Sequence, residues 1–210
     1  MSQQKSNRKR TETARRILNT AAEIFSESGF EGARVDEIAR RAGVNKASIY
    51  YHIGDKQALY ARVIHDLFGN AAGQMVENIS ASLSPTEKLK RYIHTLAGIV
   101  DQNPQIAAIM LREQASGGKN LPELVAQDIA GIVGIISGIL DEGVKEGIFI
   151  KTKPFVVHLM IIGAIVLYKM SSSIRSKYPV LSETSNEQKD QNLKQAAAEV
   201  QRLVLNAVKK

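Results

Sequence analysis

Residues 34–59 read Arg34-Val35-Asp36-Glu37-Ile38-Ala39-Arg40-Arg41-Ala42-Gly43-Val44-Asn45-Lys46-Ala47-Ser48-Ile49-Tyr50-Tyr51-His52-Ile53-Gly54-Asp55-Lys56-Gln57-Ala58-Leu59. Val35, Ile38, Ala39 and Ala42 recur at the spacing of one helix face. Gly43 ends that short helix, at a reversal where a Cβ is expected to clash. Asn45 can cap a second short helix, Lys46 to about Ile53. Val44, Ile49 and Ile53 take its inward positions. What remains to face outward is Lys46, Ala47, Ser48, Tyr50, Tyr51 and His52. All but Ala47 can hydrogen-bond a phosphate or a base edge, and Ala47 can touch a thymine methyl. A helix this short fits a major groove.

The flanks also read as helix. Upstream, Ala14, Ile17, Leu18, Ala21, Ile24 and Phe25 predict a helix from about Thr11, its N-cap, to Ser28. Gly29 is placed to stop it, with Phe30 folding back on Phe25. Downstream, Asp55 can cap a helix to about Gly69. Ser84-Pro85-Thr86-Glu87 is a capping box with Pro at N1, and Asn103-Pro104 starts another helix by the same logic. Pro122 opens a helix to about Glu146, and Pro154 opens a strongly apolar one that fades near Arg175. The last helix carries Leu193, Ala197, Val200, Val204 and Ala207, spaced 4, 3, 4, 3 as a heptad seam. No strand alternation appears.

The 210 residues include 28 Lys plus Arg against 21 Asp plus Glu, a formal charge of +7, with no Cys. The absence of Cys excludes a disulfide framework, a thiolate metal site and a cysteine nucleophile. The basic balance points to a polyanion, nucleic acid or an acidic membrane surface. Positive charge is densest early: residues 1–16 hold six bases and one acid, Glu12. Lys5 to Arg10 is either a solvated terminus or an arm on phosphate. No apolar run follows these bases as in a secretory signal. Phe155 to Tyr168 is too short to span a bilayer, so a core or subunit interface is expected for it.

At Ile17 to Leu59 the sequence resembles the TetR family of bacterial transcriptional regulators. The residues that carry the resemblance are Phe25, Gly29-Phe30, Val35, Glu37-Ile38-Ala39, Ala42-Gly43-Val44, Lys46, Tyr50-Tyr51-His52, Lys56 and Ala58-Leu59. The resemblance implies DNA contacts from Arg34, Asn45, Lys46, Ala47, Ser48, Tyr50, Tyr51, His52 and Lys56. Arg34 stands where the family usually has a small hydroxyl residue. Asn45 replaces a usual Ser, Ile53 a usual Phe, and Ala47 a common Gly.

The fold expected is all-α: a three-helix head with a helix-turn-helix over residues 1–56, then a helical effector-binding and dimerisation domain over 57–210. The implied function is a transcriptional regulator, a repressor released from double-stranded operator DNA when a small apolar or amphipathic molecule binds. A ligand-independent regulator and an all-helical enzyme are the alternatives. His94, Met110, Arg112, Gln114 and His158 are candidate effector residues. Gly131, Gly134, Gly138 and Gly163 either let helices approach closely or leave room for a ligand. Phe155, Leu159, Ile162, Leu193, Ala197, Val200, Val204 and Ala207 are candidate homodimer contacts. No metal site, cofactor or membrane partner is expected, and the location implied is cytoplasmic.

Overall fold

The computed structural model describes residues 2–181 and 193–210, without the side chains of 2–10 and 179. Its elements are α1 (Ser2–Gly32), α2 (Val35–Ala42), α3 (Lys46–His52), α4 (Lys56–Asn78), α5 (Pro85–Gln102), α6 (Pro104–Ala115), α7 (Glu123–Lys145), α8 (Pro154–Met170), α9 (Ser172–Lys177), a 3-10 turn (Pro179–Leu181) and α10 (Leu193–Val208). Among the described residues the only β-like feature is an isolated bridge, Phe149 to Lys209. The expected all-α class is what is found.

Two compact units form. The first comprises residues 1–69 and 108–126, the second residues 70–107 and 127–210. Helices α4, α6 and α7 contribute residues to both. The first unit is thus made of two separate stretches of chain, whereas the division expected after residue 56 was contiguous.

In the first unit, Ile17, Ala21, Ile24 and Phe25 of α1 are buried with Ile38, Ala39, Ile49 and Leu59. The expected start at Thr11 is wrong, because helix continues back to Ser2. The stop at Gly29 is present as a kink: its φ is 70°, and helix resumes for a few residues. Phe30 stacks on Phe25 at 6.4 Å, as expected. The charged arm Lys5 to Arg10 lies outside the described side chains.

In the second unit, α5, α8 and α10 pack together, burying Leu89, Ile93, Leu96, Ile161, Ile165, Ala197, Val204 and Val208. Ser84 Oγ accepts from the Glu87 N–H at 3.3 Å, giving the expected cap of α5. Asn103 does not cap α6. Its side-chain amide donates back to the Ile99 carbonyl at 3.0 Å, closing α5 instead. The apolar helix stops at Met170, five residues before the expected fade, where the Ser171 hydroxyl donates to the Tyr168 carbonyl at 2.9 Å.

The heptad seam needs correction. Leu193, Ala197 and Val204 are buried within the protomer by α5 and α8, Val200 is half-buried, and Ala207 alone is exposed. A regular 4–3 spacing marks a buried stripe, and here most of that stripe is core. α8 differs: Val157, Ile161, Ile165 and Val166 point inward while Phe155, Val156, Leu159, Met160, Leu167 and Met170 are exposed. Among the described helices, α7 and not α8 is long and apolar enough to cross a membrane by length and composition. Its Val125, Ile132, Ile136, Ile139 and Leu140 are core residues here.

Candidate nucleic-acid interface

The reversal between α2 and α3 is built by backbone. The Gly43 N–H donates to Arg40 O at 3.2 Å and the Val44 N–H to Ala39 O at 3.0 Å. This pairing needs a left-handed residue, and Gly43 has φ 62° and ψ 40°. A Cβ there would meet nothing within 4 Å. The expected clash is therefore not the reason for the glycine; the backbone conformation is.

Asn45 begins α3 in extended conformation, and its Oδ1 accepts from the Ser48 N–H and the Ser48 hydroxyl, each at 2.7 Å. The Ser48 proton is thus spent on the cap, leaving that side chain an acceptor. Ile49 is fully buried and Ile53 half-buried, which anchors the helix. The opposite face is open: Tyr50 is 49% exposed and Tyr51 69% exposed. Lys46 and Ala47 are exposed at its start, and His52 is half-buried with its ring edge-on to Tyr51 at 5.1 Å.

The flanking cations are less free than the sequence suggests. Lys46 Nζ pairs with Asp36 at 2.9 Å, which raises its pKa. Glu37 accepts from both Arg40 and Arg41 at 2.7–2.8 Å, and their guanidinium groups hold its carboxyl down at about 2. Arg41 also pairs with Glu27 at 2.9 Å. Lys56 donates to the Glu31 carbonyl at 3.3 Å and sits 4.7 Å over the Phe30 ring. Arg34 is exposed, extended, and makes no side-chain cap, as expected for its departure from the family pattern. The acids that pair these cations, Asp36 and Glu37, were not among the candidate residues. Their i, i+3 and i, i+4 spacing to Arg40 and Arg41 was a readable signal for Glu37.

The candidate effector residues are dispersed. In the first unit, Met110 is half-buried and Gln114 exposed. Arg112 donates to the Ser26 carbonyl at 3.3 Å and the Glu27 carbonyl at 2.7 Å, which ties it to the end of α1. Beside it, the buried Glu113 accepts from the Tyr60 hydroxyl at 2.5 Å, and Tyr60 packs on Phe25 and Phe30. Burial and that carboxylate push the Tyr60 pKa up. In the second unit, His94 is exposed. His158 is buried, its Nδ1 2.7 Å from the Tyr92 hydroxyl, and burial lowers its pKa. The sequence missed Tyr92, a fully buried side chain that also reaches the Ile132 carbonyl at 3.4 Å. Among the described residues no cluster of His, Asp or Glu is placed to hold a metal ion.

Residues 17–63 match the model for bacterial regulatory proteins of the tetR family, and residues 82–168 that for the tetracyclin repressor-like C-terminal domain. The chain belongs to the TetR family. This TetR-family regulator is 25% identical over 131 residues to the fatty acid metabolism regulator protein of Bacillus subtilis, covering 62% of this chain and 68% of that protein. It is 27% identical over 131 residues to the transcriptional regulator RutR of Escherichia coli, covering 62% and 61%. In fold it is similar to HlyIIR, a hemolysin II transcriptional regulator: TM-score 0.70, 24% identity, 96% and 99% of the two chains. The Bacillus subtilis regulator FadR, solved with stearoyl-CoA, gives TM-score 0.70 at 21% identity over 90% and 96%.

Proposed function

We propose that the chain is a dimeric, DNA-binding repressor that a small molecule releases from its operator. The observation that carries the DNA-binding reading is the outward face of α3. Tyr50 and Tyr51 are large, exposed and unused by the core, which Ile49 already fills. With Arg34, Lys46, Ala47, His52 and Lys56 they form a patch that can hydrogen-bond phosphates and base edges. Asn45 and Ser48 hold the start of the helix and contribute acceptor atoms. Tyr50→Ala and Lys46→Ala are expected to weaken binding to a duplex selected by the wild type by about 10-fold or more, with unchanged melting temperature. Normal binding by both variants would remove α3 from the interface.

The exposed apolar side of α8 is the dimer surface in this reading, with Phe155, Leu159 and half-buried Ile162 at its centre. A two-fold pair of heads then reads a palindromic site. For the effector, an apolar or amphipathic molecule is supported by the apolar interior of the second unit and by the similarity to the fatty acid metabolism regulator and to FadR, solved with stearoyl-CoA. Of the candidate residues, His158 with Tyr92 is retained as the polar pair that orients it. Native mass spectrometry of the purified dimer, before and after extraction with organic solvent, tests this. An operator complex indifferent to every extracted fraction would favour the ligand-independent alternative. A cytoplasmic location follows from the same reading.

A further inference from the structure

Among the described residues, Asp36 is the side chain seen bonded to Lys46, the first residue of α3. Both its carboxylate oxygens approach Lys46 Nζ, at 2.9 and 3.1 Å. The pair is on the surface, with 73% of the Asp36 side chain and 47% of the Lys46 side chain exposed. Exposed pairs of this kind are weak and easily exchanged, so a stabilising role is a poor account of it. Its position is more telling. An ammonium has three donors, and one of them can reach a base acceptor while another stays on Asp36. A bare Lys, by contrast, is a strong phosphate ligand regardless of sequence.

We propose that Asp36 is a specificity-determining residue: it keeps Lys46 from acting as an indiscriminate phosphate contact, so that Lys46 contributes where a base acceptor is present and little elsewhere. This rests on the DNA-binding reading above. The Asp36 carboxylate competes with phosphate for Lys46 and repels it where the start of α3 meets the backbone. The pair as a unit carries no net charge, so it adds little to counterion release. Arg40 and Arg41 are compensated in the same manner by Glu37 and Glu27, but both lie on α2 and neither on α3.

The test uses the full chain and two duplexes: one the wild type enriches from a randomised pool, and a scrambled duplex of the same composition. Asp36→Asn is expected to tighten binding to the scrambled duplex by about two- to five-fold and to steepen its salt dependence by about one phosphate contact, near 0.9 in the log–log slope. The enriched duplex gains less, so the ratio between the two falls. Glu23→Gln, an exposed acid on α1, controls for the unit of charge and should leave the ratio unchanged. Adding Lys46→Met to Asp36→Asn should abolish the gain. If Asp36→Asn and Glu23→Gln shift both duplexes alike, or if the gain survives Lys46→Met, the inference is overturned while the DNA-binding reading stands. If the wild type enriches no sequence, both fall.

Discussion

Gly143 sits inside α7, and a Cβ built on it would lie 2.0 Å from the Phe149 ring. Nothing in a glycine's letter distinguishes it from Gly131, Gly134 or Gly138 in the same helix, where a Cβ meets nothing within 4 Å. Spacing does not single out Gly143, because the ring that needs the space comes from a turn that periodicity does not place. Gly143→Ala is expected to destabilise the fold by about 1–3 kcal/mol through overpacking, while Gly131→Ala stabilises it by up to about 1 kcal/mol through helix propensity. Urea midpoints in the reverse order would contradict this. His158 shows a different residue-scale effect. Burial keeps its folded pKa low, so the unfolded chain takes up the proton first. The contribution is complete above about pH 6.5 and is lost as pH falls toward the folded pKa. The stability gap between wild type and His158→Gln should therefore narrow on acidification from pH 8 to 5, and a constant gap would refute a buried neutral imidazole.

Among elements, α2, α3 and the Gly43 turn were legible nearly to the residue, because short helices announce their ends through caps. Asn45 does this chemically, through two 2.7 Å bonds to Ser48. Asn45→Ala should cost about 1 kcal/mol and release the Ser48 hydroxyl, so thermal stability and DNA affinity fall together. Stability unchanged within 0.3 kcal/mol or so would mean that the cap is idle. The early part of α1 was not legible: residues 2–10 offer no apolar stripe, yet the backbone is helical from Ser2. Asn103 misled because a residue between two helices can serve either, and only the fold shows which carbonyl its amide meets. α10 misled more deeply. Spacing reports that a stripe is buried but not by whose atoms, and Leu193, Ala197 and Val204 are covered by their own chain.

For the whole molecule, that distinction separates two substitutions of similar chemistry. Val204→Asp puts a charge into the protomer core and should abolish cooperative unfolding, at a cost of several kcal/mol. Leu159 is 45% exposed on α8, so Leu159→Asp should leave a folded monomer by sedimentation. An unchanged dimer mass would remove α8 from the interface. Net charge is also refined at this scale. The +7 of the chain suggested a generally attractive head, but Lys46, Arg40 and Arg41 all have carboxylate partners there. The partner class was readable from the α3 face, whereas its electrostatic moderation depended on neighbours that only folding brings into range.

The clasp of Arg112 on the Ser26 and Glu27 carbonyls, and of Glu113 on Tyr60, bears on how such regulators can be recombined. The first unit draws residues 108–126 from far along the chain. A crossover between genes near residue 69 would deliver a head without its own clasp, leaving the end of α1 to depend on foreign residues at the equivalent sites. Swapping DNA specificities between relatives thus calls for a discontinuous graft that carries Arg112 and Glu113 along with the helix-turn-helix.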